Sequence, residues 1–233
     1  MKIEAVVVCR DYADFLHYTL PWTKQAVDNL VIVTSEEDEE TQRVCEFHDV
    51  RCLVTDAFEK YRGELNKGAA INEGLSTLDR NDWLLILDAD ILIPPHVRPF
   101  LESSALNTKS LYGVDRRNCD GKVILDEVTG GSWGFDHLPL LDRVSIYGGY
   151  PPVGYFQLFH SCEHGHAPWY DELYPYADKT DAVFAKSFNM RGYLKTWVVH
   201  LDNGGHVGGQ NWKGRESPRF VTKAEVTLDL KKE

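Results

Sequence analysis

Five consecutive apolar residues, Trp83-Leu84-Leu85-Ile86-Leu87, run directly into Asp88-Ala89-Asp90. A strand that is apolar at every position must be covered on both faces, so the sheet that holds it needs layers on both sides. The sequence upstream supplies them. Short apolar runs at 6–8, 30–33 and 52–54 alternate with helical patterns over about 12–27, 36–47 and 66–78. Pro21 is expected to kink or break the first helix, and Ser35 with Asp38 to open the second, where acidic side chains favour the positive helix end. Strands alternating with helices predict an α/β fold, a mixed, mostly parallel Rossmann-like sheet flanked by helices.

Past Pro94-Pro95 the pattern changes. A short helix to about 106 is followed by short strand patterns at 111–114, 123–125, 144–147 and 155–159 among glycine-rich turns. A helix over about 181–190 and a strand over 193–199 follow. The last thirty residues are Gly-rich and then charged, a pattern of loop and mobile tail.

The 233 residues carry 25 Lys+Arg and 36 Asp+Glu, a net charge of −11, which disfavours a general basic field for long nucleic acid or anionic membrane. The longest apolar runs are far short of the ~20 residues of a membrane helix, and Glu4 and Asp11 bracket a run too short for a signal peptide. Five cysteines, an odd number without CxxC spacing, fit reduced thiols. These features predict a cytoplasmic protein without stable membrane insertion.

Asp88 and Asp90, at i and i+2 on extended backbone, point to the same side. Unpaired, they repel and lose solvation, which a hard divalent cation offsets. They also stand at the carboxyl end of a strand, where open α/β sheets collect ligands. The plainer alternative is an Asp-capped turn leading to Pro94. An Asp-x-Asp at a strand end occurs in haloacid-dehalogenase-type phosphatases, on the first strand, whereas here it is on about the fourth. It occurs in polymerase palms, which need a basic cleft. It also occurs in nucleotide-sugar glycosyltransferases, after an α/β half of about this length.

Further segments resemble that last group. Val6-Val7-Val8-Cys9-Arg10 with Asp11-Tyr12 resembles a first strand and donor-binding loop. Asp38 stands where the family often has an Asp near the nucleoside base. The run 66–74, Asn-Lys-Gly-Ala-Ala-Ile-Asn-Glu-Gly, resembles a basic-residue, small-residue, Asn-x-Gly helix start. Trp169-Tyr170-Asp171-Glu172 resembles a Gly-Phe-Asp-Glu turn on the acceptor side. Over most of 3–200 the chain resembles a GT-A, family 2-type glycosyltransferase.

The resemblance implies one GT-A domain over 1–206, with a nucleotide-binding half (about 1–92), an acceptor half (about 93–206) and a mobile loop and tail (207–233). It implies Mn²⁺ or Mg²⁺ held by Asp90 and His200, with His206 as the fallback. The donor is a nucleotide-sugar, a UDP-sugar foremost, contacted by Arg10, Asp11, Asp38, Lys67, Asp88 and Asp90. The acceptor is a hydroxyl of a glycan, lipid, protein or modified nucleic acid base, and inversion at the sugar carbon is part of what the family implies.

The family's Glu-Asp pair is not intact in Asp178-Lys179-Thr180-Asp181. Asp181, eleven residues before the expected helix end at Gly192-Tyr193, is the favoured general base, with Asp178 as the second candidate. Gly204-Gly205, Gly208-Gly209 and Trp212-Lys213-Gly214-Arg215 suggest a lid that closes on a diphosphate, with Trp212 and Lys213 as donor contacts. His160, Cys162, His164 and His166 share parity and suit zinc, although a straight strand spreads them over roughly 20 Å; an acceptor-contacting loop is the favoured reading. Two rivals remain open: a sugar-phosphate nucleotidyltransferase, although Cys9-Arg10-Asp11-Tyr12 has no glycine, and a non-catalytic nucleotide- or glycan-binding protein.

Overall fold

The computed structural model describes residues 1–62, 65–131, 134–141, 152, 154–161, 170–174, 177–204, 215 and 217–231, without the side chains of 61, 62, 177 and 178. In chain order these form β1 (Ile3–Val8), α1 (Ala13–Ala26), β2 (Asn29–Thr34), α2 (Glu39–Phe47), β3 (Arg51–Val54), α3 (Lys67–Ser76) and β4 (Trp83–Asp88). There follow β5 (Ile91–Leu92), α4 (Val97–Ser103), β6 (Ser110–Asp120), α5 (Lys122–Thr129), β7 (Phe156–His160), α6 (Ala177–Lys186), β8 (Met190–Asp202) and α7 (Lys223–Asp229).

One eight-stranded sheet runs β3-β2-β1-β4-β7-β6-β8-β5. Strands β1 to β4 are mutually parallel, β7 is antiparallel to β4 and β6, and β8 is parallel to β6. The predicted mixed, mostly parallel sheet is therefore present. The all-apolar strand is central: Leu84 to Leu87 are each at most 2 % exposed, with one side packed in each of two apolar clusters.

Strand β5 creates the site. Only Ala89 and Asp90 separate it from β4, so the ends of that turn are at most about 11 Å apart. In the sheet order β5 is four strands from β4, ~19 Å if the sheet were flat. The β7-β6-β8 part must therefore curl back, and Ile91 pairs antiparallel with His200. Asp90 reaches the end of β8 this way, its carbonyl accepting from the Leu201 amide at 2.8 Å.

Several local expectations need correction. Residues 123–125, expected as a strand, lie in helix α5: Leu125 and Val128 are buried while Val123 points to solvent, a 3.6-residue pattern overriding the β-branched run. Helix α1 continues through Pro21. The helix expected at 181–190 is Ala177–Lys186, and Gly192-Tyr193 lies inside β8, not at a helix end. The strand pattern at 144–147 is outside the described residues.

Residues 217–231 are packed rather than free. Phe220, Val221 and Val226 are buried, and α7 opens with a reciprocal Thr222–Glu225 capping box. Arg215 forks onto both carboxylate oxygens of the fully buried Asp14, one at 2.9 Å, and stacks over Tyr12 and Phe15. Among the described residues, no helix is long and apolar enough to cross a membrane.

Candidate active site

The turn after β4 brings together two groups of side chains. The first surrounds Lys67. Asn66 caps α3 through the Ala69 amide (3.0 Å), which places Lys67 at the first helical position. Gly68 lets this end approach α6: a Cβ there would lie 3.2 Å from Thr180 and 3.4 Å from Tyr170. Thr180 is buried in that contact. Lys67 Nζ then bonds Asp88 Oδ1 at 2.8 Å and Asp181 Oδ2 at 3.2 Å.

Burial acts to lower the Lys67 pKa, but the charges of Asp181 and Asp88 outweigh it and drive the pKa up, so the ammonium persists. Asp181 is pushed up, first by burial and further by Asp88, against the downward pull of Lys67 and the Gly154 amide. A carboxylate with raised proton affinity suits a base. Asp181 Oδ1 is buried and lacks a hydrogen-bond partner. Gly154 packs so tightly on this carboxylate that a Cβ would lie 1.8 Å from Oδ2.

The second group is Asp90 with His200. His200 Nε2 stands 3.5 Å from Asp90 Oδ2, and His200 Nδ1 is 3.0 Å from Asn118 Oδ1. Burial favours the neutral Asp90 acid, but His200, Arg116 and Lys67 together hold the carboxyl below its ordinary range. Asp90 Oδ1 is buried without a partner. An ion ~2.1 Å from each ligand spans a gap of this size; the carboxylate suits a hard ion such as Mn²⁺ or Mg²⁺, and the imidazole favours the transition metal Mn²⁺ of the two. Among the described residues no three His, Cys, Asp or Glu side chains are arranged to hold a metal. Among the described residues, Asp90 and His200 are therefore the two side chains placed to share an ion, which would need further ligands from elsewhere.

The remaining expected site residues are dispersed. Asp38 is 5 % exposed and accepts from the Asp11 amide, the Thr34 hydroxyl, and both the amide and hydroxyl of Thr41. Its carboxylate knots the β1 loop to α2, with three of the four bonds on Oδ2 and one on Oδ1. Asp11, at φ 63°, takes the left-handed conformation in that knot, and its carbonyl accepts from Arg215. Arg10 is paired with Glu59 at 2.9 Å. Arg215, grouped with Lys213 as a lid cation, is committed to Asp14 instead. His160 pairs with Asp82 and packs on Trp83, at the opposite end of β4 from Asp88, so it takes no part here. Asp178 falls in the first turn of α6. Its side chain, His206, Trp212, Lys213, Cys162, His164, His166 and Trp169 lie outside the described residues.

Sequence reasoning missed Gln157 and Asn118. Gln157, fully buried in β7, donates to the carbonyls of Pro152 (2.8 Å) and Asp181 (3.1 Å) and accepts from the Tyr170 hydroxyl (2.5 Å). A lone Gln among Phe156, Leu158 and Phe159 was the available signal, since a buried amide must be bonded. Asn72 clasps the Tyr170 backbone from both sides, each bond 2.9 Å. The Asn-x-Gly segment therefore holds the turn at 170–172 beside the site.

No family model matches the sequence, and no curated protein matches it. Solved structures do. Mannosyl-3-phosphoglycerate synthase from Rubrobacter xylanophilus is 16 % identical at a TM-score of 0.52, over 89 % of this chain and 68 % of that one. Glucosyl-3-phosphoglycerate synthase from Mycobacterium tuberculosis, solved with Mn²⁺, UDP-glucose and glycerol 3-phosphate, is 13 % identical at 0.49, over 85 % and 72 %. The chain has the GT-A fold of the nucleotide-sugar glycosyltransferases.

Proposed function

We propose that this protein is a glycosyltransferase that moves a sugar from a nucleoside diphosphate donor, a UDP-sugar foremost, to a hydroxyl acceptor with the help of Mn²⁺ or Mg²⁺. The reading is carried by one observation: the Asp90–His200 pair, with a buried and unsatisfied Asp90 oxygen, lies beside the Lys67–Asp88–Asp181 cluster at the carboxyl end of β4. A fold shared with a mannosyltransferase-type synthase supports it.

Asp90 and His200 would hold the ion, which when bound neutralises charge on the departing diphosphate. Asp88 would orient the donor through its ribose or sugar. Lys67, charged and anchored between Asp88 and Asp181, would add a fixed positive charge beside the diphosphate. As the acceptor oxygen bonds to the anomeric carbon, the bond from that carbon to the diphosphate oxygen breaks, and the acceptor proton passes to Asp181 Oδ1. Attack from the side opposite the leaving group inverts the carbon, as the family resemblance implies.

Incubation with UDP- and GDP-sugars, Mn²⁺ and a panel of hydroxyl acceptors, read by chromatography of nucleoside diphosphate and glycosylated product, tests the proposal. Product formation lost in Asp181→Asn is expected. A protein that binds these donors yet never transfers or hydrolyses them is a binding module instead.

A further inference from the structure

We propose that Asn118 is a positioning residue that fixes which nitrogen of His200 faces Asp90, an assignment that rests on the metal reading above. The Asn118 carbonyl oxygen lies 3.0 Å from His200 Nδ1. An amide oxygen only accepts, so Nδ1 carries a hydrogen, and the proton that an ion shared with Asp90 would displace is the one on Nε2, leaving that lone pair for the ion. Nε2 is the nitrogen found 3.5 Å from Asp90 Oδ2.

The backbone enforces this pairing. Strands β6 and β8 run parallel, with Gly113 opposite Tyr193, and then slip at an irregularity before Asp115 pairs with Trp197. Beyond it Asn118 stands opposite His200; with the earlier register continued, Asn118 would face Val198. The slip therefore aligns the amide with the imidazole, consistent with the habit of bulges to re-aim side chains near sites. The ring is otherwise held by burial, its side chain 10 % exposed, and by the Ile91 pairing that carries Asp90 past it. A partner of this kind fixes ring orientation and raises ligand basicity, and its loss typically costs 10–100-fold in metal affinity.

The test compares wild type, Asn118→Leu and Asn118→Asp by electron paramagnetic resonance of free Mn²⁺, titrated alone and then with saturating UDP or GDP. Leucine keeps the branching at Cγ and removes the acceptor; aspartate keeps the acceptor. Asn118→Leu is expected to bind Mn²⁺ about 10–100-fold more weakly, and Asn118→Asp to match or exceed wild type. Thermal melts without metal show that each variant is folded. Equal Mn²⁺ affinity in wild type and Asn118→Leu overturns the Asn118 assignment alone. Weakening in both variants assigns Asn118 a packing role and overturns it too. A wild type that binds no Mn²⁺ under any of the conditions overturns the metal reading, and the assignment with it.

Discussion

Lys67 bonds Asp181 at 3.2 Å across 114 positions of sequence, joining the first residue of α3 to the middle of α6. The same ammonium bonds Asp88 at 2.8 Å, so the candidate base and the end of the central strand share one cation. This arrangement fixes how the reaction should respond to pH. Asp181 must be ionised to accept a proton, and burial raises its pKa, so turnover should climb with pH along a limb above the ordinary carboxylate range. Lys67 favours the ionised form, so Lys67→Met should shift that limb to higher pH, and Lys67→Arg should shift it less. A pH–rate profile of each variant measures this; an unmoved limb in Lys67→Met contradicts it.

Asp181→Asn should lower turnover by at least about a hundredfold while leaving nucleotide-dependent thermal stabilisation in place. Asp178→Asn should cost less. Gly154→Ala should resemble Asp181→Asn, because its methyl group would occupy the space of the Asp181 carboxylate. Steady-state kinetics alongside scanning fluorimetry separates the two effects. A dead Asp178→Asn beside an active Asp181→Asn would reverse the assignment.

Removing Arg215 should unseat the C-terminal segment. Asp14 is fully buried and Arg215 is its main counter-charge, so Arg215→Ala leaves a buried carboxylate poorly compensated, at a cost of about 3 kcal/mol. Because Arg215 also bonds the Asp11 carbonyl, the β1 loop should exchange its amides faster in the variant. Urea denaturation and hydrogen exchange read both effects, and an unchanged midpoint would show that the pair contributes little.

Mild acid should loosen the α1–α2 contact. His48 Nε2 lies 3.1 Å from His17 Nδ1, and burial, then His17, lowers the His48 pKa from 6.5 to about 4. Between those values the unfolded chain takes up a proton that the folded chain refuses, so stability falls as pH drops through that window. Melting temperature followed from pH 7 to 4 should fall less steeply in His48→Gln than in wild type. Parallel curves would refute this linkage.

Much of the fold of the first ninety residues was legible because its signals are local. Trp83–Leu87 has no polar face, and each preceding strand is bounded by a helix of clear period. Asp88 and Asp90 were legible as candidates from residue type at a strand end, and Lys67, Asp181 and His200 through the family resemblance. Their partners were not. The curl that brings β5 onto β8, the register slip opposite His200 and the packing of Gly154 against Asp181 all arise between distant segments. The structural work of Asp38 was hidden for the same reason: its carboxylate accepts four hydrogen bonds, among them one from the Asp11 amide 27 positions away. The C-terminal segment looked like a tail because its apolar residues, Phe220, Val221 and Val226, are too few for a pattern, although each finds a place in the core.

The central claim is that Asp90 and His200 hold a divalent ion that binds a nucleoside diphosphate. Calorimetric titration of UDP and GDP into the protein, with Mn²⁺ and again in excess EDTA, tests it most directly. The account predicts binding of at least one nucleotide that needs the ion and is weakened in a folded Asp90→Asn variant. Nucleotide affinity that is the same in EDTA as in Mn²⁺ would contradict it.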